Sequence, residues 1–567
     1  MKQLIARIVW GKFKFTFFRL LLITIIACKS EGVSAIADLS PQTYYFDAIA
    51  GNDSHDGLSP EQSFQSLELL HSIQLKSGDR ILLANGSTFL GHIPVLGFFG
   101  EDGLEITNYK PPGSSSQERP RIDASGYVSG IFIENSSNIS ISNLSITAEG
   151  GKILKTYGAS TAGMRCGILV HIKSDRIFKN INIENIEIES VYYESTGFNR
   201  GKDEVTTPNG TESYGWGIRF LNTSNNGQLT DITISRSTVE NVSHSGIRFN
   251  NSSQQKFKEI TINNNRLYKT GGPGIVLLRC ENAIVSENNI SYSGSPEDSR
   301  NWGRGSGLWT WGSSTVLIDK NTFSYANGPA DSAGCHIDFN CSDVIVQRNL
   351  SFSNAGGFIE ILGNNYNCAY RYNVSINDGF RVKGEGNNFQ EGKTFWLSGY
   401  AGKNNTRTGP FNSYIYNNTI YTKAAIISKI AVDNVSRGIL VANNIFHIEG
   451  DSKLVLGDQY RPDEGGTATI ENITFTYNIF LKDDYWPEEV LIQPTNSISG
   501  DVLFLNKGGG NVIDYTPTDV ELVKNKGIHI PKIEGDEKGL YLGFPLREDI
   551  LGNTIIGVPD IGAIELD

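Results

Sequence analysis

The chain has 567 residues, of which 61 are glycine and 19% are charged, and its formal net charge is −12. This charge excludes general binding to nucleic acid or to an anionic membrane, because the long-range electrostatic field repels both. Helix-forming residues are scarce, whereas asparagine and β-branched residues are abundant. This composition predicts an all-β protein.

Residues 1–28 predict an export signal. Basic residues precede an apolar segment over 20–27 that is too short to span a membrane. The sequence Ile25-Ile26-Ala27-Cys28 resembles the lipobox of bacterial lipoproteins, which implies lipidation of Cys28. An ordinary secretory signal cleaved after Ala35 is the alternative. We therefore expect an outer-membrane lipoprotein or a periplasmic or extracellular protein, with a lipid anchor as its only membrane contact.

An internal repeat predicts the fold. A strand that opens with glycine is followed about 15 residues later by an asparagine between apolar residues, and the repeat length varies from 22 to about 45 residues. The opening glycines are Gly246, Gly274, Gly307, Gly334 and Gly356, and the asparagines are Asn265, Asn289, Asn321, Asn349 and Asn373, with Asn143, Asn185, Asn418, Asn444 and Asn478 as further members. Strands of fixed length joined by variable loops are typical of a β-solenoid.

The boundaries of this solenoid follow from the repeat. Residues 120–500 predict a right-handed parallel β-helix, 43–127 an N-terminal cap with the first strands, and 501–567 C-terminal coils and a cap. The loop with Asp53 and Asp56 has the composition of a calcium site, although Asp-Gly turn chemistry explains it equally well. No cofactor is expected to be necessary. The cysteines after Cys28 are odd in number and lack metal-site spacing, which predicts buried free thiols.

Segments at both ends carry a family resemblance. Tyr44-Tyr45-Phe46-Asp47, Gly78-Asp79-Arg80-Ile81-Leu82-Leu83 and Pro559-Asp560-Ile561-Gly562-Ala563-Ile564-Glu565, together with the repeat, resemble secreted β-helix proteins of the pectin-lyase-like superfamily. That superfamily includes lyases, hydrolases, epimerases and non-enzymatic adhesins, so the resemblance implies the fold rather than one activity. We expect a monomer that acts on a plant or algal polysaccharide or oligosaccharide.

Two acidic residues occupy the same position in consecutive repeats. Asp338 lies four residues after Gly334, and Glu360 lies four residues after Gly356. If the coils align on these glycines, strands about 4.8 Å apart place the two carboxyl groups side by side. A retaining glycosidase requires a separation of about 5 to 5.5 Å between its two carboxyl groups. The spacing therefore predicts a catalytic pair.

The same alignment predicts two columns of outward-facing residues, with Cys335, Ile337 and Phe339 facing the core. The first column is Asn250, Leu278, Trp311, Asp338, Glu360 and Lys383, and the second is Arg248, Val276, Trp309, His336, Phe358 and Arg381. Sugar rings stack on indole faces, so Trp309 and Trp311 favour a carbohydrate-binding surface that includes Arg248, Asn250, His336, Phe358, Arg381 and Lys383. Packing of the two tryptophans under the loop 295–306 is the alternative.

The segments around Asp338 and Glu360 also resemble the motif pair of β-helical retaining glycosidases of the β-xylosidase type. This resemblance implies that Asp338 is the nucleophile and Glu360 the acid/base. Two other functions stay open. A polysaccharide lyase would use Lys383 or Arg381 as its base, with calcium bound by Asp338 and Glu360. A non-catalytic solenoid would bind glycans in the same groove.

Overall fold

The computed structural model describes residues 40–151, 153, 163–211, 213–455, 473–483, 494–540 and 543–566. The predicted export segment and Cys28 lie outside these residues. The described residues from Pro41 onward form one compact unit, in which strands β1 to β40 build three parallel sheets, here called A, B and C. Successive strands enter sheets A, B and C in turn, as β14, β15 and β16 do. This is the parallel β-helix that the repeat predicts.

The strand boundaries follow by sheet. Sheet A contains β1 (Thr43–Phe46), β2 (Arg80–Ala84), β5 (Leu104–Tyr109), β8 (Ile139–Ser142), β11 (Ile177–Glu184), β14 (Gln228–Ser235), β17 (Phe257–Asn263), β20 (Cys280–Ser286), β23 (Ser314–Asp319), β26 (Ser342–Gln347), β29 (Ala369–Arg371), β32 (Phe411–Tyr416), β35 (Arg437–Ala442) and β38 (Ile473–Thr476). Sheet B contains β3 (Thr88–Leu90), β6 (Arg121–Asp123), β9 (Ser145–Glu149), β12 (Glu187–Tyr192), β15 (Thr238–Val242), β18 (Arg266–Tyr268), β21 (Asn289–Ser291), β24 (Thr322–Ser324), β27 (Leu350–Phe352), β30 (Val374–Ile376), β33 (Thr419–Thr422), β36 (Ile445–Ile448), β39 (Ile479–Phe480) and β40 (Ile498–Ser499). Sheet C contains β4 (Ile93–Leu96), β7 (Ser129–Glu134), β10 (Met164–Ile172), β13 (Tyr214–Asn222), β16 (Ile247–Asn251), β19 (Ile275–Leu278), β22 (Leu308–Trp311), β25 (Cys335–Ile337), β28 (Gly357–Ile361), β31 (Lys393–Leu397), β34 (Ser428–Val432) and β37 (Ser452–Leu454).

Helical structure in the described residues is limited to short turns. These are the 3₁₀ helices Pro60–Gln62, Leu67–Ser72, Glu204–Thr206 and Val512–Tyr515 and the α-helix Val520–Val523. Across the described part of the chain, no helix is long and apolar enough to cross a membrane.

The core is a stack of aliphatic side chains contributed by every coil. Ile232 of sheet A pairs with Ile260, and Ile234 pairs with Ile262, so like residues lie above one another along the stack. Each buried side chain of this size contributes roughly 1.5–3 kcal/mol. The cysteines Cys166, Cys280, Cys335, Cys341 and Cys368 are buried and free, as predicted.

A ladder of buried asparagines runs between sheets A and B. The side-chain oxygen of Asn349 accepts from both the main-chain amide (2.8 Å) and the side-chain amide (3.0 Å) of Asn321. The Asn349 side chain in turn donates to the carbonyl of Ile318 at 2.9 Å. The same pattern links the whole ladder, whose members are Asn265, Asn288, Asn321, Asn349, Asn373, Asn418, Asn444 and Asn478.

Three predicted members of this ladder were wrong by one residue. Asn288 occupies the position predicted for Asn289, which is exposed. Asn143 and Asn185 bond to each other at 2.6 Å but lie one residue before the ladder position. Two consecutive asparagines, or an asparagine followed by an aliphatic residue, leave the choice of buried position open from the sequence alone.

Candidate active site

The outer face of sheet C carries the predicted site on strands β22, β25, β28 and β31. Ile337 pairs with Ile361, and both side chains are buried in the core. The residues that alternate with them along each strand therefore face outward. The outward row that crosses these four strands consists of Trp309, His336, Glu360 and Trp396.

The prediction that Asp338 and Glu360 share a column was wrong. Ile337 aligns with Ile361, which is an offset of 361 − 337 = 24 residues instead of the predicted 22. Glu360 therefore lies beside His336, and Asp338 lies two positions further along the neighbouring strand. With strands about 4.8 Å apart and a rise of about 3.3 Å per residue, the two Cα atoms are roughly 8 Å apart.

The role of Gly356 explains this error. Gly356 belongs to the turn before β28, where its amide donates to the carbonyl of Ser332 at 2.8 Å. A Cβ atom at this position would lie 2.0 Å from the carbonyl oxygen of Asp331, so only glycine allows this close approach. The position equivalent to Gly334 in the next strand is Phe358 instead.

Phe358 does not face the outer surface, and its prediction as a substrate-binding residue was wrong. It is 1% exposed and packs in the core against Phe323, with 6.4 Å between ring centroids. In the preceding coil, a Cβ atom added to Gly334 would point at Ser351 of sheet B. In its own coil the Phe358 ring also packs edge-on against Tyr370, with 5.4 Å between ring centroids, which confirms that it points inward.

Arg381 and Lys383 also lie outside the predicted columns. The strand that follows β28 in sheet C is β31, so Trp396 occupies the place predicted for Arg381. Both basic residues belong to the loop 377–392. Its Gly379-Phe380-Arg381 segment has the same sequence pattern as the first residues of a coil, although it forms no strand. Arg381 is buried and donates to the carbonyls of Gln390 (2.8 Å), Asp331 (3.0 Å) and Gly328 (3.1 Å). Lys383 is exposed.

Trp309 lies on the outer face, as predicted, and is partly exposed. Its ring is parallel to that of His336, with 6.2 Å between the centroids and an interplanar angle of 8°. The guanidinium of Arg248 lies 5.9 Å from the Trp309 ring, and its Nε donates to Oδ1 of Asn250 at 2.7 Å. These four predicted residues therefore lie on one surface.

Trp311 extends this surface toward the end of the strands. Phe339, which was predicted to face the core, instead packs on the outer face against Trp311 with 5.6 Å between ring centroids. Phe339 also contacts Tyr400 at 5.5 Å, beside the buried pair Leu362 and Trp396. The inward alternation ends at Ile337 because β25 ends there, and Phe339 follows in a turn.

The loop 295–306 contributes a different tryptophan cluster. Trp302 stacks on His244 with 4.9 Å between ring centroids and an interplanar angle of 5°. Trp302 is buried with Trp216 and Tyr214 on earlier coils of sheet C. The aromatic partners of Trp309 and Trp311 described above thus come from sheet C and the turn after β25 rather than from this loop.

Asp331 is a carboxylate that sequence reasoning missed. It lies in the loop before β25, where Arg304 binds it through two hydrogen bonds, from Nε (2.7 Å) and from Nη2 (3.1 Å). Arg304 is buried, as is Arg381, which binds the main-chain carbonyl of the same aspartate. No repeat signal marks Asp331, and the only hint in the sequence is the arginine of the loop 295–306 that requires a partner once buried.

The two aspartates have pKa values shifted in opposite directions. Burial, together with the negative charge of Asp331, raises the pKa of Asp338 to about 7 against the opposing effect of a hydrogen bond from the Phe339 amide. Burial also acts to raise the pKa of Asp331, but the Arg304 guanidinium outweighs it and holds the pKa below its usual range. Burial lowers the pKa of His336 to about 4. Near neutral pH, Asp331 is therefore ionised, Asp338 is partly protonated and His336 is neutral.

Glu360 lies on the same face with a different environment. Its side chain is 7% exposed and faces outward, while its main-chain carbonyl accepts from the buried hydroxyl of Tyr370 at 3.1 Å. Trp396, its neighbour on β31, carries the ammonium of Lys393 3.6 Å from the ring centroid. Lys393 and Trp396 were not predicted, because the long loop before β31 hides the repeat.

Among the described residues, no group of three or more His, Cys, Asp and Glu residues is arranged to hold a metal ion. In the loop proposed for calcium, Oδ1 of Asp53 accepts from the amides of Gln65 and Ser66, both at 2.8 Å. Oδ1 of Asp56 accepts from the amide of Leu58 at 2.9 Å. Calcium binding stays a prediction.

Comparison with known proteins supports the fold. Residues 216–420 match the family model described as "Right handed beta helix region". The chain is 22% identical to a lacto-N-biosidase of Bifidobacterium longum subsp. longum over 94% of its length, but it spans 37% of that relative. A GH136 lacto-N-biosidase structure from Eubacterium ramulus superposes with a TM-score of 0.51 at 19% identity, over 73% of this chain and 67% of that one. The chain is thus a right-handed parallel β-helix, as the sequence predicted.

Proposed function

We propose that this protein is a glycoside hydrolase that cleaves an oligosaccharide on the outer face of sheet C. The observation that carries the proposal is the opposite shift of the pKa values of Asp331 and Asp338 beside partly exposed tryptophans. Glycosidic cleavage requires one carboxylic acid that keeps its proton and one carboxylate that stays ionised. The names of the two relatives, both lacto-N-biosidases, support an oligosaccharide as the substrate class.

In this mechanism, Asp338 is the general acid. It donates its proton to the glycosidic oxygen as the bond from the anomeric carbon to that oxygen breaks, so the leaving alcohol departs neutral. Positive charge develops on the sugar ring, and an ionised carboxylate stabilises it. This assignment reverses the predicted roles, because a pKa of about 7 suits a proton donor better than a nucleophile.

The ionised partner has two candidates. Asp331 is favoured because its charge acts directly on Asp338 and because Arg304 keeps it ionised. Glu360 is the second candidate, since it faces outward one strand away. In a retaining reaction this partner attacks the anomeric carbon and water later releases the sugar, whereas in an inverting reaction it activates water directly. The retaining mechanism stays a prediction, and the anomeric configuration of the first product would test it.

Trp309 and Trp311 have the position and exposure to stack against sugar rings beside these carboxyl groups. Arg248 and Asn250, held together by their hydrogen bond, provide a polar group next to Trp309 that suits a ring hydroxyl. His336 is neutral and lies between Trp309 and Glu360 in the row, where it is suited to hydrogen bonding rather than to charge.

The test uses a panel of plant, algal and animal-type oligosaccharides with the products identified by mass spectrometry. We expect a product with a new reducing end, and Asp338→Asn and Asp331→Asn should each lower turnover by about 10²- to 10⁴-fold. Glu360→Gln should have the larger effect of the two partner variants if Glu360, not Asp331, is the ionised partner. Azide should restore turnover of an acid/base alanine variant on an activated substrate.

The alternative functions predict other products. A polysaccharide lyase would release an unsaturated uronate. Its two predicted bases do not lie on the outer face of sheet C, since Arg381 binds loop carbonyls and Lys383 belongs to a loop outside that sheet. A glycan-binding solenoid would retain the oligosaccharide without cleaving it. Absence of any cleavage across the panel would contradict the hydrolase.

Export is proposed on the sequence of residues 1–28 alone. Expression in a bacterium should give a lipid-modified protein in the membrane fraction, and Cys28→Ser should release it. A soluble mature chain that begins near Ile36 in the native host would contradict the lipid anchor.

A further inference from the structure

A groove of about 900 Å³ lies where the strands of sheet B end, and its lining includes neither Asp338 nor Glu360. Sites for small organic ligands have volumes of about 300–1,000 Å³ and are lined by aromatic residues with a few polar groups. This groove has that composition, since Tyr292, Tyr325 and Phe380 line it together with asparagine and charged side chains.

Two tyrosines form the floor of the groove. Tyr292 follows β21 and Tyr325 follows β24, so they occupy the same position in successive coils. Their rings are stacked, with 4.9 Å between centroids and an interplanar angle of 21°. Tyr292 is 39% exposed and Tyr325 is 40% exposed. Because the rings cover each other's faces, they present their edges and hydroxyl groups to the groove, and Phe380, 40% exposed, adds a further ring.

The backbone at these tyrosines is unfavourable for a bulky side chain. Both residues have φ of +58°, in the left-handed region that costs an ordinary residue about 1–2 kcal/mol. The next coils have Ser353 and Asn377 at this position, and asparagine tolerates the conformation well. Ring contacts offset this cost in part, since Tyr292 packs edge-on against Tyr268 at 5.4 Å and Tyr325 packs edge-on against Phe352 at 5.3 Å.

The polar residues of the groove indicate the kind of ligand. Asn327 and Asn377 offer amide groups, while Glu297, Glu385 and Lys423 carry charges of both signs. A lining with mixed charge does not select a polyanion, and it suits a neutral molecule with many hydroxyl groups. Flat C–H faces together with hydroxyl groups are the chemistry of a sugar chain, which stacks on aromatic rings and bonds to amides.

We propose that this groove is a second saccharide-binding site that takes a neutral oligosaccharide independently of cleavage at Asp338. The loops 292–307 and 377–392 line the groove. The same loops contribute Arg304, which binds the Asp331 carboxylate, and Arg381, which binds the Asp331 main-chain carbonyl. A long glycan bound in the groove would therefore lie beside the loops that shape the active site. The ligand class rests on the proposed function, but the site does not require that function.

The test is calorimetric titration of the full-length Asp338→Asn protein with xylohexaose, cellohexaose and lacto-N-tetraose. We expect at least one probe to bind, and the double variant Tyr292→Asn/Tyr325→Asn to weaken its binding by tenfold or more. Asparagine suits the left-handed backbone, which offsets the lost ring contacts, so this variant should melt at about the same temperature. The matched control is Tyr366→Ser, since Tyr366 is 43% exposed and stacks on Phe411 at 4.9 Å and 22° outside the groove.

Three outcomes overturn the proposal. The first is that no probe binds. The second is that a probe binds but Tyr292→Asn/Tyr325→Asn leaves its binding unchanged. The third is that an aromatic peptide binds in place of the sugars and that the double variant abolishes this peptide binding. Failure of the hydrolase proposal is read separately, because calorimetry on Asp338→Asn does not depend on cleavage. If the protein is a hydrolase, the tyrosine variant should keep full turnover on a short aryl glycoside and lose it on a long chain.

Discussion

Buried polar groups occur in two rows of this β-helix, the asparagine ladder and the outer face of sheet C. In the ladder, Asn349 donates to main-chain and side-chain acceptors and accepts two further hydrogen bonds from Asn321. On the outer face, burial raises the pKa of Asp338 to about 7, and Nδ1 of His336 is buried without a hydrogen-bond partner among protein atoms. Asn349 is fully buried whereas Asp338 is half-buried, and the two rows also differ in how fully their polar atoms are hydrogen-bonded.

This difference separates a structural row from a chemical one. Neutral amides that find every partner stabilise the stack and have no proton to transfer. Carboxyl groups held at unusual protonation destabilise the fold slightly and become useful for catalysis. Variants that exchange these properties should therefore affect stability in one row and activity in the other.

The largest effect on stability is expected in the ladder. Asn349→Ala removes hydrogen bonds on both sides of one coil and leaves buried groups unsatisfied, which should lower the free energy of unfolding by about 3 kcal/mol. Chemical denaturation measures this loss. Asn289→Ala, at an exposed neighbouring asparagine, is the control and should change stability by less than about 0.5 kcal/mol. Equal effects of the two variants would show that the ladder contributes nothing special.

The opposite sign is expected on the outer face. The folded-state pKa of Asp338 lies above its unfolded value, so the native protein loses stability as the pH rises from about 4 to 7. Asp338→Asn removes this cost and should stabilise the protein at pH 8 by on the order of 2 kcal/mol, with little effect near pH 4. Thermal melts at both pH values test this, with the exposed Asp231→Asn as control. A destabilised Asp338→Asn protein at pH 8 would contradict the assignment.

A smaller effect is expected from the arginine that keeps Asp331 ionised. Arg304→Lys replaces a contact of two hydrogen bonds by a single charge, so the pKa of Asp331 should rise toward its usual range. Activity should then be lost at a higher pH on the acidic side of the rate profile. Arg300→Lys, at a buried loop arginine bound to Asp298, is the matched control and should not move the profile.

The smallest effect tests the corrected position of Phe358. Because its ring fills the core, Phe358→Leu should lower stability by about 1 kcal/mol and leave KM unchanged. Trp309→Leu should do the reverse, raising KM with little loss of stability. A raised KM in the Phe358 variant would return this residue to the substrate surface.

The sequence predicted the fold because the repeat is local and frequent. Glycine and asparagine recur in most coils, so an error of one residue, as at Asn289, does not change the architecture. The site was harder to predict because it depends on register between coils. Gly356 serves a turn and not a strand, which displaced Glu360 and Phe358, whereas Arg381 and Lys383 were displaced because residues 377–392 form a loop.

Residues contributed by loops could not be found by repeat analysis at all. Asp331 becomes visible only when Arg304, 27 residues earlier, folds against it. Trp396 follows the loop 377–392 in the sequence, and the repeat does not predict the length of this loop. Pairings between irregular segments follow from three-dimensional packing, which a pattern of apolar residues does not specify.

The two arginines around Asp331 also have a consequence for folding order. Arg304 reaches the aspartate from 27 residues upstream, and Arg381 binds its carbonyl from 50 residues downstream. Ladder contacts between adjacent coils can form as soon as two coils exist, whereas both arginines are in place only after the loops that carry Arg304, Asp331 and Arg381 have closed. A chain that stops before residue 381 could still stack its coils, but it would lack one of the two arginines that bind Asp331. Activity should therefore require the chain through residue 381, even though the coils before it can already stack.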